Sequence, residues 1–168
     1  MNLNFTLREM THLRYFAPIV IESAKQGIKS TFYIGQSNKY NCPLLPVNSR
    51  DLLVFAKQNG VELKSMADLK TAKDVIITNE KSCMEQISEL SGVTKVATTY
   101  QTDFVYNYKT FNYEDVYDYI AMPSRNIAKF YEIESDKNIY VGISKYDVSI
   151  QKNEVVKKYG LSEDRNIV

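Results

Sequence analysis

The stretch Asp118-Tyr-Ile-Ala-Met-Pro-Ser124 runs on to Arg125-Asn-Ile-Ala-Lys-Phe-Tyr-Glu132 and then to Asn138-Ile-Tyr-Val-Gly-Ile-Ser-Lys-Tyr-Asp147. It reads as strand, serine cap, helix, strand and glycine within about 30 residues, which is the length of a βαβ unit with parallel strands. Both strands end in small or polar residues, Ser124 in one and Gly142 to Ser144 in the other. In open parallel sheets the carboxyl ends of the strands line the ligand crevice. The same stretch therefore predicts a fold class and the edge on which a site lies.

Working outward, the alternation continues. Leu3–Leu7 reads as a short apolar strand. Leu13, Phe16, Ala17, Val20, Ile21 and Ala24 follow at steps of three and four, one face of a helix that Gly27 closes. Ile28–Ile34 returns as a strand. A two-proline loop leads to a helix capped by Asn48 or Ser49, carrying Leu52, Leu53 and Ala56 and stopped by Asn59-Gly60. Val61–Ser65 is a weak strand and Asp74–Thr78 a strong one. Ser82 with Glu85 has capping-box spacing before the next helix, which Gly92 ends. Thr94–Tyr100 is a strand, Gln101–Tyr117 has no clean period, and Ser149 opens a last helix. About six or seven strands, mostly apolar at their centres and separated by helices, predict an α/β Rossmann-like three-layer αβα sandwich with a mostly parallel sheet.

The bulk properties narrow the function classes. The chain has 168 residues, with 21 Lys plus Arg against 20 Asp plus Glu. One domain fits that length, and the near-zero net charge argues against a nucleic-acid partner. No apolar run reaches the roughly 18 residues of a transmembrane segment, and the start lacks a basic region before an apolar one. The expectation is a soluble, cytoplasmic protein. One histidine and two cysteines, Cys42 and Cys83, form no zinc-like cluster. Buried reduced thiols are favoured over a disulfide, and no metal or cofactor is expected.

The first strand-to-helix turn, Leu7-Arg8-Glu9-Met10-Thr11-His12, contains no glycine. A dinucleotide pyrophosphate therefore has no close backbone approach there. His12 sits at the start of the first helix, where the helix N-terminus keeps an imidazole neutral and suits it to general-base work; the plainer reading is a surface or capping histidine. Arg8, Arg14 and Arg125 fall at strand-to-helix turns, where guanidinium groups hold phosphates or carboxylates. Arg125, beside Ser124, is the strongest of the three. Tyr100, Gln101, Thr102 and Asp103 follow a strand end, and Asp103 could serve as a base or hold a sugar hydroxyl. Glu80 has a weaker claim of the same kind. Tyr106, Tyr108, Phe111 and Tyr113 alternate with polar residues, as a sugar-stacking loop or, more simply, as a segment packed on the sheet.

The order of these elements resembles the N-terminal lobe of a GT-B glycosyltransferase, nearest the CDP-glycerol glycerophosphotransferase and UDP-N-acetylglucosamine 2-epimerase-like branches. Three pieces carry the resemblance: His12 through Pro18 to Gly27, Met122-Pro123-Ser124 at a strand end before a helix, and Val141-Gly142-Ile143-Ser144-Lys145-Tyr146-Asp147. Lys157-Lys158-Tyr159-Gly160-Leu161 to Val168 is similar to the segment between lobes. The resemblance implies residues 1–160 as an acceptor-side lobe and 161–168 as the interlobe segment. It implies a transferase using a nucleotide-activated donor, with His12 and Asp103 catalytic. Arg14, Tyr100, Gln101, Ser124 and Arg125 would bind a sugar or polyol acceptor. The glycerophosphotransferase branch carries a His-Gly pair where this chain has Tyr100-Gln101. The donor-binding second lobe is not part of the sequence, so no turnover is expected from the chain alone. A second-lobe partner, or self-association through an exposed aromatic patch near Tyr100–Tyr113, is expected instead. The alternative class is a non-enzymatic Rossmann-like binding or interaction module.

Overall fold

The structure, a computed structural model, describes residues 1–8, 10–35, 50–79, 83–99, 110 and 112–142. In chain order the elements are β1 (Asn2–Leu7), α1 (Met10–Lys25), β2 (Lys29–Ile34), α2 (Arg50–Asn59), β3 (Glu62–Ser65), a 3-10 helix (Met66–Thr71) and β4 (Asp74–Asn79). There follow α3 (Met84–Ser88), β5 (Val93–Thr98), α4 (Tyr113–Val116), β6 (Tyr119–Met122), α5 (Arg125–Phe130) and β7 (Asn138–Tyr140).

The strands form one seven-stranded sheet in the order β3-β2-β1-β4-β5-β6-β7. Every pairing in it is parallel. The chain builds outward from β1 to β3, returns to lay β4 against the other side of β1, and then builds outward to β7. The order therefore reverses between β1 and β4. In open α/β sheets that reversal is where the helices leave the sheet on opposite faces and a crevice opens at the carboxyl ends.

Two apolar layers cover the sheet. On one face Leu3, Phe5, Leu7, Phe32, Ile34 and Ile77 pack against Phe16 and Val20 of α1 and Leu52 and Ala56 of α2. On the other, Ile76, Ala97, Ile120 and Met122 pack against Leu69, Ile87, Tyr113 and Ala128. This is the expected three-layer α/β sandwich, and the described sheet is wholly rather than mostly parallel.

The βαβ unit forms as its sequence indicates. The Ser124 side chain accepts a hydrogen bond from the Ile127 backbone N–H at 3.3 Å, which caps α5, and β6 pairs directly with β7. Elsewhere local detail departs from the pattern. α3 starts at Met84, directly after Cys83, whose backbone is left-handed (φ 63°) and whose side chain makes no cap bond. Ser82, from which a capping box is expected, lies outside the described residues. A 3-10 helix that no periodicity marked follows β3, with Ser65 accepting from the Ala67 N–H at 3.2 Å. Within the aperiodic stretch, Tyr113 of α4 and Tyr117 just after it are buried, and their rings meet edge to face at 5.8 Å. The helix expected from Ser149, the cap at Asn48 or Ser49 and the segment 161–168 also lie outside the described residues.

Gly35 ends β2 where the 3-10 helix crosses it. A Cβ built there would sit 2.7 Å from Met66 Cβ, closer than packed carbons approach. Gly35→Ala should therefore lower the unfolding free energy by about 1–3 kcal/mol, the usual range for overpacking. Urea denaturation followed by circular dichroism checks this; an unchanged midpoint would mean that the 3-10 helix yields without strain.

Candidate functional site

The carboxyl ends of β1 and β4 carry polar side chains on both faces of the sheet. β1 and β4 run in register, with Phe5 beside Ile77, so Thr6 stands level with Thr78 and Leu7 with Asn79. The Thr6 and Thr78 hydroxyls meet at 2.7 Å with both residues fully buried. That pair faces the α3 side, since Ile76, two residues before Thr78, belongs to that layer.

Arg8, half-buried, leaves the sheet one residue beyond Leu7. Its guanidinium lies against the Cys83 thiol at the start of α3. Burial pushes that thiol above its ordinary value of 9.0, while the charge and hydrogen bond of Arg8 and a contact with the Thr6 hydroxyl pull it down less strongly. Cys83 is free and buried, in keeping with the reduced thiol expected; Cys42 lies outside the described residues. The Cys83 backbone is left-handed, with φ 63°.

The α1 side of the same edge holds His12, Asn79 and Thr98. His12 is 3% exposed, in the first turn of α1, with its ring edge-on to Phe16 at 6.5 Å. It is therefore neither a surface histidine nor a solvated cap. Asn79 is fully buried, and its side-chain oxygen receives the Thr98 hydroxyl, which also lies 3.0 Å from the Thr78 carbonyl.

The remaining expected residues are spread more widely. Arg14 is exposed, its guanidinium 5.3 Å from the centre of the Tyr15 ring. Ser124 is committed to capping α5, and Arg125 lies 5.3 Å over the Tyr140 ring. Both stand at the end of β6, on the same sheet edge as His12 but three strands away from β1. At roughly 4.8 Å per strand that is about 14 Å. Tyr100, Gln101, Asp103 and Glu80 lie outside the described residues. Sequence reading ranked Arg8 below Arg125 and overlooked Thr6, Thr78 and Asn79. The alternation Asn2-Leu-Asn-Phe-Thr-Leu7 was the available signal for a polar face on β1.

Among the described residues no group of three His, Cys, Asp or Glu side chains is placed to hold a metal ion. No described helix is long and apolar enough to cross a membrane. Of the aromatic patch expected near Tyr100–Tyr113, Tyr113 is wholly buried, and residues 100–109 and 111 lie outside the described residues. Among the described residues, exposed apolar side chains include Phe130 of α5, at 79%, and Ile139, Tyr140 and Val141 in and just after β7, the last at 58%.

The chain matches no family model, no curated protein and no solved structure. A functional reading therefore rests on the sheet order and on the groups gathered at its carboxyl edge.

Two buried acids, Cys83 and Tyr117, fix a pH dependence. Cys83 is raised from 9.0, mainly by burial, and Tyr117 from 10.0, by burial first and then by Tyr113 and Cys83. Both groups stay protonated in the native state after the unfolded chain has begun to release its protons. Stability is therefore fully present below about pH 9 and falls as pH rises beyond it. Urea titrations at pH 8 and pH 10.5 should show that loss, and Cys83→Ala should reduce the difference between the two pH values. An identical difference in the variant would mean that the Cys83 thiol is not held neutral by its burial.

Proposed function

We propose that this chain is the acceptor-side lobe of a glycosyltransferase or polyol-phosphate transferase that uses a nucleotide-activated donor held by a second lobe. The observation that carries the reading is the β1/β4 switch point, which follows a first turn with no glycine and gathers a buried His12 and a half-buried Arg8. A glycine-free turn disfavours a dinucleotide pyrophosphate at this end of the sheet. A cation and an imidazole at the same edge suit a smaller substrate carrying hydroxyls and an anionic group.

In this reading His12 takes the proton from the acceptor hydroxyl, and Asp103 orients it or holds a neighbouring hydroxyl. Arg14, Tyr100, Gln101, Ser124 and Arg125 contact the rest of the acceptor. An acceptor reaching from His12 to Arg125 must span about 14 Å along the sheet edge, the length of an extended polyol or disaccharide rather than a monosaccharide. The same reading places the protein in the cytoplasm, where the donor is available.

The test is reconstitution. The chain is combined with a matching donor-binding lobe and nucleotide release is measured. His12→Ala should lower the rate by about 10²- to 10⁴-fold, the usual loss on removing a general base. An unchanged rate would make His12 a structural group. Rapid turnover by the 168-residue chain with no partner would overturn the lobe reading itself.

A second reading, a non-enzymatic interaction module, is favoured by the exposed Phe130, Ile139, Tyr140 and Val141 at the β7 edge of the sheet. Apolar side chains left exposed at a sheet edge favour association. Light scattering should then show concentration-dependent self-association that Phe130→Lys abolishes. A monomer at all concentrations would remove self-association as the reason for the patch.

A further inference from the structure

The buried stripe of α1 ends in a polar group. His12, Phe16 and Val20 stand four residues apart and are all buried, the last two completely, while the neighbouring Thr11 and Arg14 are exposed. Helical side chains lean toward the helix N-terminus, so that residues four apart meet. Phe16 and Val20 pack in the layer over β1 and β2. His12, in the first turn, leans toward the carboxyl edge of the sheet. No earlier turn of helix flanks it there, and the support from its own helix comes from Phe16. The two ring centroids are 6.5 Å apart and the planes are inclined at 71°, within the roughly 4.5–7 Å, edge-to-face geometry that aromatic pairs prefer.

Phe16 is itself fixed by the core. Its ring meets Phe5 of β1 at 5.1 Å, Phe5 meets Phe32 of β2 edge to face at 5.5 Å, and Phe32 stacks on Phe55 of α2 at 6.2 Å. The imidazole is thus the outer end of a run of rings that crosses α1, β1, β2 and α2. Backbone bonding holds this half of α1 less firmly than usual. Pro18 lies inside the helix, and it has no N–H to give to the Arg14 carbonyl four residues back. Side-chain packing therefore decides how the half that carries His12 sits on the sheet, with Phe16 as a wholly buried anchor.

We propose that Phe16 is a positioning residue for His12: its ring, locked in the core through Phe5, fixes the orientation of the imidazole at the carboxyl edge. A reactive group keeps its geometry when the side chains that touch it have rotamers locked by packing. The proposal rests on the acceptor-lobe reading for what His12 does, and not for how its ring is held. Within that reading Phe16 touches neither the acceptor nor the reacting atoms and acts through His12 alone.

His12 is the one histidine of the chain, so its chemistry can be followed without interference from another imidazole. The full chain is treated with diethyl pyrocarbonate, and carbethoxylation of the peptide carrying His12 is read by mass against time. The wild type should react slowly, since the ring is buried and held. Phe16→Leu, which keeps an apolar side chain and removes the ring, should speed the modification several-fold. Phe16→Tyr, which keeps the ring and buries a hydroxyl, should lower the melting temperature and still protect His12 as the wild type does. Phe32→Leu, two rings further along the same run, should likewise cost stability without speeding the reaction. If Phe16→Leu does not fold, Phe16→Met is read in its place, with melting temperature as the check on folding. In the reconstituted system Phe16→Leu should lower kcat by about 10- to 100-fold with little change in KM, as misplacement of a reacting group by about 1 Å does, and Phe16→Tyr should restore most of that loss.

Wild-type reactivity of His12 in a folded Phe16→Leu or Phe16→Met variant would overturn the proposal and assign the hold on the imidazole to other contacts. Equal acceleration in Phe32→Leu would overturn it as well, because the effect would then be general loosening of the core. Faster modification in Phe16→Leu alone, with no turnover from the reconstituted wild type, would overturn only the transferase reading. Turnover that falls in His12→Ala and is unchanged in Phe16→Leu would overturn only the positioning role.

Discussion

The side-chain amide of Asn4 holds the centre of this sheet. It is fully buried on β1, and its nitrogen donates to the carbonyls of Lys73 and Val75 on the chain entering β4, the latter at 2.9 Å. Its oxygen accepts from Asn2, whose side chain also reaches Thr31 on β2, each at 3.2 Å. One polar group thus ties together β1, β2 and β4. The pairing of β1 with β4 has no local support: it joins residues some seventy positions apart, and the loop-closure entropy of that excursion must be offset by contacts at its end. Asp74 helps from the other side. Its left-handed backbone (φ 66°) turns the chain into β4 while its carboxylate accepts from the Asn2 N–H at 2.7 Å.

Register follows from these bonds. Because successive side chains alternate between faces, a slip of one residue would send Asn4 and Thr6 into the α1 layer and Leu3 and Phe5 into the other. A buried amide or hydroxyl without its partner costs about 1–3 kcal/mol, so each of these polar groups penalises the slipped pairing. Apolar layers alone specify that a sheet forms; the Asn4 and Thr6–Thr78 bonds specify which residues meet. The same register sets the switch point, because it brings Leu7 and Asn79 level and puts Arg8 just past the edge.

Much of this was legible in the sequence. The βαβ unit from Asp118 is written in its cap, its apolar strand centres and its length, and those are local properties that tertiary packing reinforced. The α1 face was equally plain. What could not be read was long-range. Asn2-Leu-Asn-Phe-Thr-Leu7 alternates as a strand with one wet face would, yet both faces are buried, because β4 arrives from seventy residues away to satisfy the polar one. Cys83 carried no mark of a left-handed turn, since a cysteine has no preference for that conformation. Ser124 and Arg125 were read correctly as strand-to-helix residues. Their side chains, however, are already engaged, one as a cap and one over Tyr140, and neither engagement leaves a trace in spacing.

A parallel sheet of this order hosts many chemistries, so its shape alone does not name one. What distinguishes this edge is the way polar groups are distributed along β1 and β4. Nearer the amino end they are spent on one another and on backbone carbonyls, as Asn4 is. Near the carboxyl end they close into the buried Thr6–Thr78 pair. At the carboxyl end they become heterogeneous: a charged Arg8 against a thiol that burial keeps neutral, a buried imidazole on α1, and the Asn79 amide with one end engaged. The seam thus passes from groups that stabilise the sheet to groups that the sheet holds in place at some expense to its own stability. Strain and incomplete satisfaction of this kind persist only where the surrounding structure over-determines them. Here the surrounding structure is the Asn4-anchored pairing itself, so the interaction that fixes the fold also holds the unspent groups at its carboxyl edge.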